Sequence, residues 1–303
     1  VTEEPSSFFL SIARSSFDKK IDMISDRKNR RIDRRKEINI QFTMRVFLNK
    51  GGHATVYLDD ENGSTVLKVA DSTDHESKQQ MSDEIRVFDL LLNSDYISEN
   101  NSGAICIARV LEVDRVHRCW IRMERYECSL FDALKTDRLK ELSARMRIMT
   151  MLPGLVRALY YVHERGVAHG DIHCGNIMLA SPRSMPRLFL CDFGMCIFLD
   201  TLTCAHVNGK FNAVCRDIKC IARTLLELVF DAPIMDDRSE KLVIDLCHRD
   251  HLFPDEIDLY TRINRLCETY VSTDRYLQSN KDDDNHTVIT EKVLHLIVQY
   301  SDV

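Results

Sequence analysis

Residues 169–179 read HGDIHCGNIML, and this stretch decides how the rest of the chain is taken. It gathers two histidines, a carboxylate and a side-chain amide between His169 and Asn176, then turns apolar. Upstream, SARMRIMTMLPGLVRALYYVHERG repeats apolar residues at helical spacing and stops at Gly166, where a helix C-cap would fall. Downstream, IMLA (177–180) and RLFLCDF (187–193) read as two short strands. The polar cluster therefore lies in a loop between a long helix and a β-hairpin.

Further out, the two halves of the chain differ in texture. From about residue 41 come short β-like runs, QFTMRVFL, TVYLDD and STVLKVA, with ENG at 61–63 as a hairpin turn between the last two. SKQQMSDEIRVFDLLL (77–92) carries apolar residues at 81, 85, 88, 91 and 92, a helical period. CIARVLEVDRV and RCWIRMERY follow as strands. This β-β-β-α-β-β order predicts a small lobe with one main helix. After residue 128 the pattern is mostly helical; RDIKCIARTLLELVF (216–230) is strongly apolar and KDDDN (281–285) reads as a polar loop. The expected class is α+β: a basic extension over 1–40, a β-rich lobe over 41–126 and a larger helical lobe over 127–303. A site shared by the two lobes would lie in the cleft between them.

Composition narrows the function. With 303 residues, 44% hydrophobic and 29% charged, the chain reads as a soluble globular protein rather than a disordered one. No run of 18 or more apolar residues is present, so no membrane span is expected. The opening VTEEPSSFFL lacks the pattern of a secretory signal. None of the eleven cysteines forms a C-x-x-C pair, and the spacings Cys191 to Cys196 and Cys215 to Cys220 match no zinc or disulfide framework. Small apolar thiols of this kind imply a reducing compartment, cytoplasmic or nuclear. A net charge of -6 argues against specific nucleic-acid binding. The local exception is RKNRRIDRRK (27–36), seven basic residues against one acidic: either a solvated helical face or a patch for an anionic partner or import receptor.

Taken in order, five features resemble the protein kinase superfamily over residues 41–230, and the fold it implies is the two-lobed kinase fold. HGDIHCGNIML is similar to the catalytic loop H-R-D-L-x-x-x-N, with His169, Asp171 and Asn176 in register. On that resemblance Asp171 is the base acting on the attacking hydroxyl, and Asn176 turns back to hold a magnesium ion. Asp192-Phe193-Gly194 follows sixteen residues after Asn176. Asp192 would chelate the magnesium that bridges the phosphates, and Gly194 would permit the backbone turn. VLK (66–68) resembles V-A-I-K, which makes Lys68 the partner of the α- and β-phosphates, and Glu84 would hold it extended. NKGGHATVYL (49–58) aligns to G-x-G-x-x-G-x-V with Asn49, Gly51 and Ala54 in the glycine places and Val56 in the valine place. The backbone at Gly51 and Gly52 would still meet phosphate.

The same resemblance implies a hinge at RMERY (122–126), with Met123 as gatekeeper, the backbone of Glu124 to Tyr126 facing adenine, and Met178 joining the nucleotide site. Asp217 looks like the aspartate at the start of the large lobe's central helix, capping that helix or the catalytic loop. The implied cofactors are ATP and Mg2+, with Mn2+ as an alternative. The implied activity is transfer of the γ-phosphate to a protein hydroxyl, with Ser/Thr specificity.

Departures keep other readings open. Gly170 replaces the arginine that receives a phosphorylated activation-loop residue. His173 stands in the place of a lysine that reaches the γ-phosphate, so its charge there depends on pH. Asp217 follows Asp192 by only 25 positions, with no A-P-E between them. HGDIHCGN also looks like the H-G-D-x-H-x-G-N loop of aminoglycoside and other small-molecule phosphotransferases, and DFGM like ubiquinone-biosynthesis kinase-like proteins. A scaffold that kept the fold and lost the chemistry is a third reading, opposed by the presence of Lys68, Glu84, Asp171, Asn176 and Asp192. The compact build and missing arginine also look like divergent viral kinases of large DNA viruses.

Overall fold

The computed structural model describes residues 46–59, 63–71, 74–93, 106–180, 186–201, 207–274 and 287–302. Arg45–Val303 form one compact unit. The basic stretch at 27–36, Glu61 and Asn62 of the ENG turn, and the KDDDN stretch lie outside the described residues.

The first half is a five-stranded antiparallel sheet in the order β1-β2-β3-β5-β4. Its strands are β1 Val46–Lys50, β2 Ala54–Leu58, β3 Thr65–Ala70, β4 Val110–Val113 and β5 Trp120–Glu124. Gly63 closes the approach to β3 at φ 68, a left-handed value that glycine adopts without steric cost. In β3, Lys68 pairs with Val56 on one side and Ile121 on the other. Cross-strand partners share a face, so the lysine's row is set by register. Helix α1, His75–Asn93, begins where the Asp74 carboxylate accepts the Ser77 N–H at 3.0 Å. Its buried residues Met81, Ile85, Phe88 and Leu91 recur every three or four positions, one face of a helix.

The CIARVLEVDRV run is strand only over Val110–Val113. Its first part instead joins the second half of the fold: Ile107 bridges Leu190, and Ala108 N–H donates to the Leu190 carbonyl at 2.8 Å.

That second half starts with β6 Cys128–Ser129, α2 Leu130–Lys135 and α3 Ala144–Glu164. Ser129 and Ser143 cap α2 and α3, accepting from the amides of Asp132 and Met146. Helix α3 stops at Gly166 (φ 71), as the spacing predicts. Then come β7 Val167–Ala168, β8 Ile177–Ala180, β9 Arg187–Leu190 and β10 Ile197–Phe198. Strands β6, β8 and β9 form one small sheet, and β10 pairs with β7. Helices α4 Val207–Phe230, α5 Asp237–Asp250, α6 Pro254–Asp274 and α7 Val288–Asp302 complete the chain.

In α4, Val214, Ile218, Ile221, Leu225, Leu226 and Leu228 are fully buried, because a helix apolar on most sides can only be a core helix. Its last carbonyls are closed by buried Arg147, which donates to Leu228 and Val229 at 2.6 and 3.0 Å and pairs with Asp231 at 3.2 Å.

Candidate active site

Strand β3 and helix α1 set one wall of the cleft. The Lys68 ammonium lies 2.7 Å from a Glu84 oxygen and 2.8 Å from Asp192 Oδ1. Burial alone would push the lysine's pKa down, but the two carboxylates outweigh it and hold the ammonium charged above its ordinary range. Burial raises Glu84, and the Lys68 charge opposes that rise. Burial also works against ionisation of Asp192. There the nearby lysine and the Gly194 amide win, and its pKa falls below the usual carboxylate value.

The backbone after β9 turns at Asp192 itself. Asp192 has φ 65, whereas Gly194 is absent from the positive-φ glycines among the described residues, so the turn expected at Gly194 is carried by the aspartate. A short polar side chain tolerates the left-handed region, and here Gly194 N–H donates to Asp192 Oδ1 at 3.3 Å. Glycine at 194 serves close approach: a Cβ would stand 3.3 Å from that oxygen and 3.6 Å from Gln80 Cβ. Phe193 is buried against Phe88 of α1 and the His169 ring, at centroid distances of 5.5 and 4.7 Å. Its amide donates to Glu84 at 3.3 Å.

The opposite wall is the loop of residues 169–176, fixed from below by one buried carboxylate. Asp217 accepts the His169 N–H at 2.7 Å and the Gly170 N–H at 2.9 Å, and His163 Nε2 lies 2.9 Å from it. Asp217 therefore ties down the loop. It sits well inside α4, which starts at Val207, and not at the helix start that its sequence context predicts. His169 Nε2 donates to the Cys191 carbonyl at 3.0 Å while its Nδ1 accepts the Asp171 N–H at 3.3 Å. Burial keeps this imidazole neutral, below its ordinary pKa.

Asp171 and Asn176 are held together within this loop. The Asn176 amide nitrogen donates to the Asp171 carbonyl at 3.0 Å and to its Oδ2 at 3.1 Å. His173 Nδ1 accepts the Gly175 N–H at 3.0 Å, so its Nε2 carries the proton directed at Asp171 Oδ2, 3.6 Å away. At that distance the contact is looser than a hydrogen bond, and it becomes an ion pair only when His173 is protonated, which makes Nδ1 a donor and gives up the bond from Gly175. The imidazole beside it draws the Asp171 pKa down, and Asp171 raises that of His173. Because the Asn176 nitrogen is engaged, its oxygen is the atom it can offer a cation. With the half-exposed Asp192 carboxylate it makes a pair of hard oxygen donors. Among the described residues no three His, Cys, Asp or Glu side chains group as a metal cage. Two protein oxygens suit a divalent cation that takes its remaining ligands from water and phosphate.

The remaining residues of the expected nucleotide site fall as follows. Gly51 N–H closes the β1–β2 turn onto the Ala54 carbonyl at 2.9 Å, and a Cβ on Gly52 would meet nothing within 4 Å. Ala54 fills its glycine place as the first residue of β2, an extended position open to any side chain. Val56 is half-buried beside Lys68. Met123 is half-buried on β5, paired with Val66 and Val110. Within the expected hinge, the amides of Glu124 and Arg125 donate into the fold, to the carbonyls of Arg109 (2.9 Å) and Ser64 (2.8 Å). The Tyr126 side chain turns inward, its ring 4.6 Å from Phe189 and its hydroxyl accepting the Arg109 N–H. Met178 lies half-buried on β8 opposite Phe189.

Two buried groups escaped the sequence reading. His163 lies on the apolar face of α3, where the helical pattern reads it as core; it links Asp217 to Thr290 Oγ1 at 2.8 Å. Glu227, 2% exposed, accepts the Ile234 N–H at 3.0 Å under the loop, and burial raises its pKa.

A sheet carrying a lysine–glutamate pair, a helical half carrying an H-x-D-x-x-x-x-N loop, and a D-F-G between them define a protein kinase domain. The family model of the protein kinase domain matches residues 43–218, more than half of the chain, and the chain belongs to that family. It is 26% identical over 207 residues to a probable serine/threonine-protein kinase, mkcB, of Dictyostelium discoideum, covering 64% of this chain and 27% of the relative. It is 37% identical over 81 residues to the serine/threonine-protein kinase US3 homologue of Gallid herpesvirus 2, covering 27% of this chain and 19% of that protein. The serine/threonine-protein kinase dkf-1 of Caenorhabditis elegans is 26% identical over 98 residues, 32% of this chain and 13% of the relative. The chain thus spans about a quarter or less of the length of these relatives.

Proposed function

We propose that this protein is an ATP-dependent serine/threonine protein kinase that moves the γ-phosphoryl group to a protein hydroxyl. The observation that carries the proposal is Lys68 bridging Glu84 and Asp192 while Asn176 holds Asp171, whose carboxylate is close enough to feel the Asp192 charge. In this reading the turn at Gly51 and Gly52 and the β3 lysine orient the phosphates, and the β5 hinge around Met123 with Met178 receives adenine. Asp171 takes the acceptor hydroxyl's proton as its oxygen attacks the γ-phosphorus and the bond to the bridging oxygen breaks. A divalent ion held by Asp192 and Asn176 would neutralise charge on the phosphates. Asn176 also keeps the Asp171 carboxylate aimed, and a protonated His173 would bring positive charge beside the phosphates.

The test is transfer of labelled phosphate from ATP to mixed protein substrates, with and without chelator, followed by identification of the phosphorylated residue type. Absence of metal-dependent transfer to any protein would sink the reading. The H-G-D-x-H-x-G-N pattern favours a small-molecule acceptor as a second reading, and labelling of small hydroxyl or amine compounds alone would select it.

Activity should not require a phosphate on the activation segment. Gly170 offers no side chain to receive one: at φ 81, a Cβ there would stand 2.2 Å from the Met195 carbonyl oxygen. Thr201 and Thr203 are the only hydroxyl residues between Asp192 and Asp217. Phosphatase-treated protein, and the Thr201→Ala/Thr203→Ala variant, should match untreated wild type in rate. A tenfold loss on treatment, restored by rephosphorylation, would contradict this.

The pH profile should carry the signature of His173. Asp171, Asp192 and Glu227 all raise its pKa, so the imidazolium persists above its usual range and is lost as pH rises through the raised value. Rate should therefore fall on the alkaline side, while Asp171, with its lowered pKa, stays ionised throughout. His173→Lys should remove that alkaline fall. An identical profile in the variant would assign the fall to another group.

A further inference from the structure

The segment that follows Asp192 is fastened at four points without any phosphate. Ile197 and Phe198 pair with Ala168 and Val167 just before the catalytic loop. Leu199 N–H donates to the Gly166 carbonyl at 2.7 Å. Gln80 of α1 donates through Nε2 to Met195 Sδ at 3.3 Å. One and a half turns further along the same helix, the Arg86 guanidinium carbon lies 3.9 Å from the centroid of the Phe198 ring. Arg86 is otherwise exposed, and it stands two residues beyond Glu84, whose carboxylate holds Lys68. The helix thus presents Glu84 to the cleft and Arg86 to the segment.

We propose that Arg86 is a positioning residue for phosphoryl transfer: seated on Phe198, it clamps α1 to the segment after Asp192 and so keeps Glu84 on Lys68. This rests on the kinase reading above. A guanidinium suits the task because it stacks flat on an aromatic face and stays charged at every working pH. The clamp then needs no added phosphate and does not titrate. An exposed cation–π contact shifts a two-state equilibrium about two- to fivefold, which sets the size of the expected effect.

The experiment uses the full chain, phosphatase-treated, as wild type, Arg86→Ala, Arg86→Lys, Phe198→Leu and the Arg86→Ala/Phe198→Leu double variant. Amide exchange at residues 195–199 and 81–86 is measured beside kcat. Arg86→Ala should raise exchange in both stretches about two- to fivefold and lower kcat by a similar factor. Arg86→Lys should recover part of the loss, and the double variant should be no worse than the poorer single one. Unchanged exchange and rate in Arg86→Ala, or losses that multiply in the double variant, would overturn the clamp. If the wild type transfers no phosphate, the kinase reading fails, and the exchange comparison alone decides whether Arg86 holds the segment.

Discussion

Asp171→Asn is expected to cut phosphate transfer by about 10²–10⁴-fold, the range for losing a positioned general base. The substitution keeps the size of the side chain and an oxygen for the Asn176 amide, which lies 3.1 Å from Asp171 Oδ2 in the wild type. What it removes is the negative charge that, on the proposed function, accepts the hydroxyl's proton, a charge His173 helps to hold in place. The lysine–glutamate pair and the β5 segment proposed to receive adenine do not depend on it, so ATP should bind about as before. A variant retaining more than roughly a tenth of the wild-type rate at saturating ATP would show that the base lies elsewhere.

Asp192→Ala should weaken metal-dependent ATP binding by about 10- to 100-fold or more, the scale seen when even indirect support of a metal is removed. Binding of adenosine should change little, because the β5 segment proposed to receive adenine is a separate element. Two other losses come with the substitution: Lys68 keeps only Glu84, and alanine must occupy φ 65, a region it disfavours. Asp192→Asn separates these effects, since asparagine tolerates that backbone while lacking the charge. Calorimetry showing equal losses for ATP and adenosine would contradict the placing of Asp192 at the phosphates. Equal weakening by alanine and asparagine would assign the effect to charge, and a mild asparagine effect would assign it to the turn.

Much of this arrangement is legible in the sequence because kinase chemistry needs fixed intervals within single elements. Asp171 and Asn176 are five residues apart in one loop, and the Asn176 nitrogen reaches back to Asp171 as that interval implies. The apolar spacing of 77–92 marks helix α1, and the short β-like run STVLKVA after the ENG turn marks β3. Less was legible where the signal was diluted. VNGKFNAV precedes the apolar part of α4 with a glycine and two asparagines, so the helix reads as shorter and Asp217 as its start. Glycine at 194 suggests the turn because glycine is the permissive residue, yet Lys68 and the Gly194 amide stabilise an aspartate in that conformation instead.

The β-β-β-α-β-β order of the first half, the loop of residues 169–176 and the identity of the charged groups follow from sequence alone, since propensity, periodicity and short-range spacing are local properties. Which distant groups meet is decided only by packing. Asp192 reaches Lys68 across 124 positions of chain, and Tyr126 turns onto Phe189 rather than the cleft because a small sheet brings that ring within 4.6 Å. Arg86 of α1 meets Phe198 of β10 across 112 positions of chain, the guanidinium carbon 3.9 Å from the ring centroid. A contact between side chains far apart in sequence leaves no period in either segment, and only the closed fold gives it a distance and an energy.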